Sequence, residues 1–567
     1  AHIRVGGGEL FDTAYRAVFF DWNEDESNGN KYHFVGGYCG TVSAAGGWMH
    51  SGGLSGASMR LHGIGVDQVL HVEMVTPGGE HVRFGPTAWE DQEGYQYPRT
   101  TKVTGYCNAR PHEGDESLWE WTECEGEIDF ADLWYAVRGG GGGTFGIVTS
   151  LYYQLHDLPG RVQIVTPYDA ELETREDLMK SGAIMVDYLK FTFTFLYLPE
   201  TLNNVTEVES RSCNAPGTLM SIPMGGDLFC HNSAGDKFIE EWKSYVKDGA
   251  TATGYGDDAE FMSHVEGLWT IRAEHPSQGY VTLRDEEPHK GRLQDDFGVL
   301  LSSGIGNGFD HVPLHTVTNY LDELVDIIIQ EAIAGVYSGF YLMGGAVPES
   351  TDQMNSLGPL RRDAAFARSS LVGRGGDELY KKFYDLVWRD MNLTADSDFP
   401  GINCHNHASN ENMGPLKEDW SRPCPGILEM SQEEREEKCV SQAESFWGTA
   451  NAARLGEIKR AVDPDELFIC NAGIGASSPF IGREEGGTGN ETAGEAKPPA
   501  AGGEGDPATV DEDEDAGEGD PAAGDGDDKG SDAADEAKDD STGSPASSSF
   551  YSKGVVISLV LAMSLAV

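Results

Sequence analysis

Apolar runs bounded by turn residues predict strands in the first part of the chain. Residues 66–76 are mostly β-branched or apolar, residues 77–80 read Pro-Gly-Gly-Glu, and residues 81–84 are again largely apolar. Two such runs around a tight turn are typical of a β-hairpin. The same patterns predict strands at 3–5, 32–35 and 147–155 and helices at 10–20 and 132–138.

The apolar pattern changes between residues 160 and 400. Leu321, Leu324, Val325, Ile328 and Ile329 recur at helical spacing and mark one apolar face. Helices are predicted at 237–246 and 317–334, and strands at 161–165, 191–198, 219–223, 299–302 and 338–342. Interleaved helices and strands of this kind indicate a second domain of the α+β class.

The C-terminal part begins with ordered elements and ends in biased sequence. Residues 446–462 predict a helix that stops before Pro464, and residues 467–470 predict a short strand. Residues 501–540 hold seventeen Asp and Glu against two Lys, with almost no large apolar residue. Such a composition cannot bury enough surface to fold, so a disordered acidic stalk is predicted over 479–552.

The net charge of −54, with a pI near 4.4, argues against a nucleic-acid partner because the chain would repel a phosphate backbone. The last residues, 553–567, are almost all uncharged and mostly apolar. They follow small residues and a polar spacer, which is the pattern of a glycosylphosphatidylinositol anchor signal. A marginal membrane span or a tail without function are the alternatives.

Cysteine spacing bears on the compartment. Three cysteine pairs are closely spaced in the sequence: 107/124, 213/230 and 424/439. Sequons occur at Asn204, Asn392 and Asn490. Together they favour an oxidising compartment over the alternative of reduced thiols and chance sequons. Residues 86–127 are polar and aromatic, and we interpret them as a surface insertion closed by a Cys107–Cys124 disulfide.

Glycine is concentrated in two segments. Ten glycines fall within residues 36–70, and five consecutive glycines occupy residues 139–143. Glycine costs roughly 0.5–1 kcal/mol relative to alanine in regular elements, so its repetition indicates positive φ or close approach of backbone to another group. A cofactor cradle and a set of tight turns both fit the first segment. A ligand contact and a flexible linker both fit the second.

Three separated blocks resemble the FAD-linked oxidases with a PCMH-type flavin domain, of the berberine-bridge-enzyme-like branch. The first runs from Gly37-Tyr38-Cys39-Gly40-Thr41-Val42 to Leu70. The second covers Asp132–Ser150, and the third runs from Phe446-Trp447-Gly448 to Asp463-Pro464-Asp465 and Phe468. The resemblance is good over 1–157 and 401–475.

The resemblance implies an α+β fold with several parts. These are the C-terminal part of a PCMH-type (vanillyl-alcohol-oxidase-like) flavin domain at 1–157, a substrate domain with an antiparallel sheet at 158–400, and a berberine-bridge-like segment at 401–478 that returns to the flavin domain. It also implies FAD contacts at Cys39, Thr41, Val42, Gly46, Gly47, Gly52, Gly53, Gly65, Gly142, Gly143, Gly146, Ile147 and Val148.

Cys39 stands where relatives carry a cysteine that can bond covalently to the flavin. The family motif Gly-x-Cys-Pro-Thr-Val-Gly is here Gly-Tyr-Cys-Gly-Thr-Val-Ser, so Gly40 replaces a proline and Ser43 a glycine. The odd number of cysteines, nine, leaves eight for disulfides if Cys39 is reserved. A free or differently paired thiol is the alternative.

The second candidate site is Cys404-His405-Asn406-His407. It resembles a Tyr-x-Asn-(Tyr or Glu)-Ala motif beside the flavin, in which Asn406 matches the asparagine and His407 the general base. An imidazole with a pKa near 6.5 can act as that base. The alternatives are a hydrogen-bonded core histidine, or a metal group with Cys404 and His405, for which no full ligand set is evident.

The resemblance predicts a secreted or surface-held oxidase that oxidises an alcohol or a carbohydrate hydroxyl, with O2 as acceptor. The family's flavin domain starts before the stretch that residues 4–7 resemble, so we expect this sequence to lack the pyrophosphate-binding part. No signal peptide is evident at residues 1–8. The alternative function is a surface or binding protein on a decayed oxidase fold.

Overall fold

The computed structural model describes residues 1–23, 25–37, 40, 42–55, 58–86, 103–126, 128–167, 175–214, 219–220, 228–247, 269–274, 310–333, 338–349, 355–370, 377–391, 397–402, 414–426, 429–468 and 474. These residues belong to one compact unit. The predicted strand at 299–302, the stalk at 479–552 and the apolar end at 553–567 lie outside the described residues. The predicted domain boundaries remain predictions.

A six-stranded antiparallel sheet organises the first part of the chain. Its strands lie in the order β1-β7-β3-β4-β5-β6. Val72 on β3 lies between Phe84 on β4 and Leu151 on β7, and all three side chains are buried. The predicted hairpin is therefore confirmed. The strands of this part, including the separate pair β2 and β8, are β1 (His2–Gly6), β2 (Tyr32–His33), β3 (Val69–Val75), β4 (His81–Gly85), β5 (Thr104–Asn108), β6 (Trp121–Thr122), β7 (Ile147–Gln154) and β8 (His156–Asp157).

Four short helices accompany this sheet: α1 (Phe11–Arg16), which continues as a π-helical turn to Trp22, α2 (Gly47–His50), α3 (Met59–His62) and α4 (Phe130–Val137). Helix α4 begins where the Asp129 carboxylate accepts the N–H groups of Ala131 and Asp132. It buries Trp134, whose ring lies 6.3 Å from that of Phe84 on β4. The helix thereby covers the sheet and ends at the five-glycine run.

The described part of residues 86–127, interpreted as a surface insertion, is almost entirely exposed or half-buried but is also part of the main sheet. Strand β5 pairs with β4, and β6 pairs with β5, so these residues extend the main sheet. The predicted Cys107–Cys124 disulfide is present. It joins β5 to the chain just after β6, and two more disulfides, Cys213–Cys230 and Cys424–Cys439, occur later.

Two four-stranded antiparallel sheets follow, in the orders β10-β12-β9-β13 and β11-β15-β16-β14. A second apolar core lies among these sheets and their helices. The strands are β9 (Val162–Pro167), β10 (Cys213–Asn214), β11 (Leu219–Met220), β12 (Leu228–His231), β13 (Trp269–Glu274), β14 (Asp310–Pro313), β15 (Ser338–Leu342) and β16 (Ala364–Ser370). The helices are α5 (Arg175–Tyr197), α6 (Glu207–Arg211), α7 (Ala234–Lys247), α8 (Leu314–Ile333), α9 (Pro359–Arg362) and α10 (Asp377–Trp388).

The strand predicted at 191–198 is wrong, because residues 191–197 form the end of helix α5. Phe191 and Phe195 pack against Phe238 of α7, whereas Phe193 stacks on Phe366 of β16. The helix therefore buries aromatic side chains in two directions, and this tertiary packing overrides the β-propensity of an aromatic-rich run. The predicted helices at 237–246 and 317–334 and the strand at 338–342 are confirmed by α7, α8 and β15.

The C-terminal helices are α11 (Gln432–Lys438), α12 (Gln442–Trp447) and α13 (Thr449–Val462). One helix was predicted over 446–462, but Gly448, at φ +77°, separates two. A Cβ on Gly448 would lie 2.7 Å from the Phe399 carbonyl oxygen, so this position admits only glycine. Helix α13 stops before Pro464, as predicted. Leu467 and Phe468 are not in a strand, and Ile469 and Cys470 lie outside the described residues.

Among the described residues, none of the helices has both the length and the apolar character that a membrane span requires.

Candidate functional site

Four of the predicted site residues cannot be placed. Cys39, Thr41, Asn406 and His407 lie outside the described residues, as do Cys404 and His405. The covalent link, the general base and the metal alternative therefore remain predictions. The described residues contain no cluster of three or more His, Cys, Asp and Glu arranged to hold a metal ion.

The structure brings the two glycine segments together. The N–H of Gly141 donates to the carbonyl of His50 at 2.9 Å, which ties the five-glycine run to helix α2. A Cβ on Gly142 would lie 3.6 Å from the Cα of Gly47. Two segments that are about 95 positions apart in the sequence thus lie side by side, and neither carries side chains at the contact.

Part of this stretch faces open space. A Cβ on Gly47 or on Gly143 would meet no atom within 4 Å, and both residues are exposed. Gly46 is half-buried beside Ser43, and Val42 is also half-buried. Because side chains are absent here, a flat ligand could approach the backbone closely. Gly46, Gly47, Gly142 and Gly143 are called the glycine surface below.

Three other predicted glycines are explained by packing. The indole of Trp48 fills the space where Gly53 and Gly65 would carry side chains, and the N–H of Gly65 donates to the carbonyl of Gly53 at 2.8 Å. Gly52, at φ +102°, contacts the side chains of Leu357 and Arg361. A cofactor contact at Gly52, Gly53 or Gly65 stays a prediction, since close packing alone accounts for the glycines.

The predicted residues Gly146, Ile147 and Val148 lie at the start of β7, an inner strand of the main sheet that is flanked by β1 and β3. Gly146, at φ +140°, lies against the side chain of Met74 and the backbone of Val75 on β3. Ile147 has 56 % of its surface exposed, whereas Val148 is half-buried and packs against the apolar core of the main sheet, which includes Val72 and Leu151. An exposed isoleucine beside the glycine run is consistent with a further contact surface, and its role stays a prediction.

His50 was not among the predicted residues, although it lies on the glycine surface. Its ring Cδ2 lies 3.6 Å from the position that a Cβ on Gly142 would take. Its Nδ1 is 3.0 Å from the carbonyl oxygen of Val137, and since a carbonyl only accepts, Nδ1 carries the proton. The sequence feature that could have indicated His50 is its position three residues after Gly47, within the glycine-rich residues 36–70.

The end of α4 is fixed by Arg138, another residue that the sequence did not single out. The Arg138 guanidinium is fully buried and donates through Nε and Nη2 to the carbonyl oxygen of Val66 at 3.0 and 2.8 Å. It also stacks over Trp134, with 4.4 Å between Cζ and the ring centre. This side chain joins the beginning of the glycine run to the first glycine segment.

Tyr153 supports the first glycine segment from below. Its hydroxyl donates to the carbonyl of Ala44, and burial raises the pKa of Tyr153 well above its ordinary value. The phenol therefore stays protonated and keeps its role as a donor. Strand β7 in this way holds the backbone that leads into Gly46 and Gly47.

The C-terminal helices close the glycine run from the other side. The indole N–H of Trp447 donates to the carbonyl of Gly139 at 2.7 Å, and the Lys459 ammonium donates to the carbonyl of Thr144 at 2.6 Å. A side chain on Gly140 would meet Leu455. The run is thus held at both ends by residues from α12 and α13.

Comparisons with known proteins find relatives that are named FAD-linked oxidoreductases. The berberine and berberine-like family matches residues 432–475. An uncharacterised FAD-linked oxidoreductase of Arthroderma benhamiae is 23 % identical over 78 % of this chain, and the chain spans 60 % of that relative. The FAD-linked oxidoreductase easE of Claviceps purpurea is 24 % identical over 79 % of this chain and 73 % of its own length.

Among solved structures, the VAO-type flavoprotein MtVAO615 of Myceliophthora thermophila is 17 % identical. The alignment covers 84 % of this chain and 67 % of that one, with a TM-score of 0.43. The chain is therefore similar in sequence to FAD-linked oxidoreductases over most of its length, and its residues 432–475 match the berberine and berberine-like family. The α+β architecture with antiparallel sheets agrees with the predicted fold class.

Proposed function

We propose that this protein is an FAD-dependent oxidoreductase whose flavin lies on the glycine surface. The observation that carries the proposal is the meeting of Gly47 with Gly142 beside open space, in a chain related to FAD-linked oxidoreductases. The surface fits the cofactor because bare backbone allows a planar ring system to approach closely. Gly46, Gly47, Gly142 and Gly143 would hold it, with His50 beside them.

We propose an alcohol or a carbohydrate hydroxyl as the substrate. FAD held there would supply a two-electron acceptor for the hydride of the substrate carbon, and O2 would be the final acceptor, giving hydrogen peroxide. The task of the protein is to orient the hydroxyl and to remove its proton. His407 is the proposed base and Asn406 its neighbour in the site.

The first experiment is the visible spectrum of the protein purified from its full gene. We expect flavin absorbance and bleaching when substrate is added without oxygen. A folded but colourless protein would reject the proposal and would favour the surface or binding function. That alternative is supported by Gly40 and Cys404, which stand where the family motifs have a proline and a tyrosine. Flavin retained on acid precipitation, but lost in Cys39→Ala, would identify the covalent link.

The second experiment tests the base. His407→Ala should slow flavin reduction by substrate by roughly 10²–10⁴-fold, because general-base catalysis contributes about that much. The flavin spectrum should stay unchanged, since the base does not hold the ring. Reduction at the wild-type rate would remove His407 from the reaction.

We propose that the protein is secreted or held at the cell surface. Three disulfides among the described residues support this, because such bonds persist in oxidising compartments. Asn204 of the sequon Asn204-Val205-Thr206 is exposed in a turn, which suits glycosylation.

Treatment of the native protein with peptide N-glycosidase should lower its mass, and release from cells by a phosphatidylinositol-specific phospholipase would support the anchor. An unchanged mass would argue against the secreted location.

A further inference from the structure

Lys459 has an unusual environment for a lysine. Its side chain is 4 % exposed, and its ammonium donates to three acceptors: the carbonyl of Thr144, the carbonyl of Phe468 and the carboxylate of Asp463. An ammonium has three N–H donors, so its hydrogen-bonding capacity is fully used. Burying a lysine costs free energy unless its charge is compensated. Here the Asp463 carboxylate and the two carbonyls compensate it.

Asp463 holds the ammonium in place. Its side chain is fully buried and accepts the N–H groups of Leu467 and Phe468 at 2.9 Å each. Burial by itself would raise the pKa of this carboxyl, but the hydrogen bonds from Lys459 and from the two N–H groups outweigh it and lower the pKa. Asp463 is therefore ionised and fixed to the turn that follows helix α13.

Thr144, whose carbonyl accepts one of the three Lys459 hydrogen bonds, directly follows the five-glycine run. Glycines have no side chains with which to anchor themselves, and they lose more conformational freedom on folding than other residues. The run therefore depends on contacts from outside. Trp447 fixes its beginning at Gly139 and Lys459 fixes its end at Thr144. Gly142 and Gly143, which belong to the glycine surface, lie between these two contacts.

We propose that Lys459 is a positioning residue for flavin binding: its ammonium holds the Thr144 carbonyl and thereby keeps Gly142 and Gly143 in the shape that receives the cofactor. The proposal rests on the proposed function, since it assumes that FAD binds at the glycine surface. It assigns the berberine-like segment an indirect effect on cofactor affinity. That effect is transmitted through the backbone of residues 142–144, because the Lys459 side chain is buried and binds the Thr144 carbonyl rather than the glycine surface itself.

The test compares FAD affinity with the stability of the flavin-free protein. All variants carry Cys39→Ala, so that flavin binds reversibly, and affinity is measured by titration of flavin fluorescence. Lys459→Met removes the three donors and leaves the Asp463 carboxylate unpaired. Lys459→Met with Asp463→Asn removes the unpaired charge as well. Arg454→Met is the matched control, because Arg454 also joins α13 to α4, through an exposed ion pair with Asp132.

We expect Lys459→Met to lower both the melting temperature of the flavin-free protein and the FAD affinity. The double variant should regain part of the melting temperature, because it removes the buried charge but keeps only one side-chain acceptor for the N–H groups of Leu467 and Phe468. It should bind FAD roughly tenfold or more weakly, since hydrogen bonds to charged groups are worth a factor of that order. Arg454→Met should bind FAD with the affinity of the Cys39→Ala protein, because it leaves the glycine run untouched.

Wild-type affinity in the double variant would overturn the proposal. So would a double variant without a cooperative unfolding transition, because Lys459 would then have a general structural role. Failure of the Cys39→Ala protein and of the wild type to bind FAD would instead reject the proposed function itself. The two failures are therefore distinguishable.

Discussion

Gly47 and Gly65 lie eighteen positions apart in the same glycine-rich stretch, yet their surroundings differ completely. Gly65 lies under the indole of Trp48, and a Cβ there would also come within 2.9 Å of the Cα of Gly53. Gly47 faces open space. The sequence marks both as glycines but cannot separate them, because the difference depends on where Trp48 lies in the folded chain.

Replacing Gly65 with alanine should destabilise the protein. The added methyl group would overlap the buried Trp48 ring and the neighbouring backbone, and overpacking of this kind costs typically about 1–3 kcal/mol. Chemical denaturation of the purified protein measures the change in the free energy of unfolding. Gly47→Ala is the control and should leave this free energy nearly unchanged. Equal stabilities of the two variants would contradict the packing assigned to Gly65.

Lys459 was recognised in the sequence only as part of a motif. Its spacing of four from Asp463 is typical of a solvent-exposed ion pair on a helix. The structure instead buries both groups and adds two backbone carbonyls as acceptors. No local pattern could predict this, because the decisive acceptor, Thr144, lies 315 positions earlier in the chain.

At the scale of elements, the prediction succeeds where a pattern is local. The hairpin of β3 and β4, helix α7 and helix α13 follow from periodicity and turn residues. It fails where packing decides. Residues 191–195 alternate phenylalanine and threonine like a strand, yet they lie in a helix between two buried surfaces. Gly448 likewise divides a predicted helix because the chain at Phe399 passes too close.

Four histidines from four elements meet in the structure, which the sequence did not indicate. His33 on β2 lies opposite His156 on β8, and the rings of His62 and His231 lie within 5.7 Å of His33. The rings of His62 and His156 stack at 3.8 Å. Burial lowers the pKa of His62 to about 4 and, together with the positive charge that His62 would carry, that of His231 to about 3. Burial and the other three histidines also lower the pKa of His33 well below its ordinary value.

This cluster predicts a loss of stability in acid. Below about pH 6.5 these histidines bind protons in the unfolded chain but not in the folded chain. Each such histidine therefore lowers the free energy of unfolding by about 1.4 kcal/mol for each pH unit, until the pH reaches its folded-state pKa. The contribution is fully present above about pH 6.5 and is lost as the pH falls toward about 4 for His62 and about 3 for His231.

Urea denaturation between about pH 7.5 and pH 5 measures this dependence. His62→Gln and His231→Gln should flatten it, because each removes one group that the unfolded chain would protonate. His112→Gln changes an exposed histidine and should leave the slope unchanged. Identical slopes in the wild type and both cluster variants would show that the histidines do not govern acid stability.

At the scale of the whole molecule, the site is assembled from distant parts of the sequence. Two parts contribute backbone to the site: the first glycine segment and the five-glycine run. The C-terminal helices contribute the side chains of Trp447 and Lys459, which bind the carbonyls of Gly139 and Thr144. The sequence suggested all three blocks through their resemblance to one family, but not the contacts between them. Those contacts depend on the antiparallel pairing of β3 with β7 and on the return of the chain in α12 and α13.

The central claim is that the two glycine segments together form the flavin surface. The most direct measurement is the FAD dissociation constant of Gly47→Val, determined by flavin fluorescence in the Cys39→Ala background, beside Gly114→Val. Both glycines face open space, but Gly114 lies in the connection between β5 and β6, and β3 and β4 separate these strands from β7, where the five-glycine run leads. A side chain at Gly47 should weaken FAD binding by roughly tenfold or more with little loss of stability, and one at Gly114 should change neither. Equal FAD affinity in the two variants would contradict the claim.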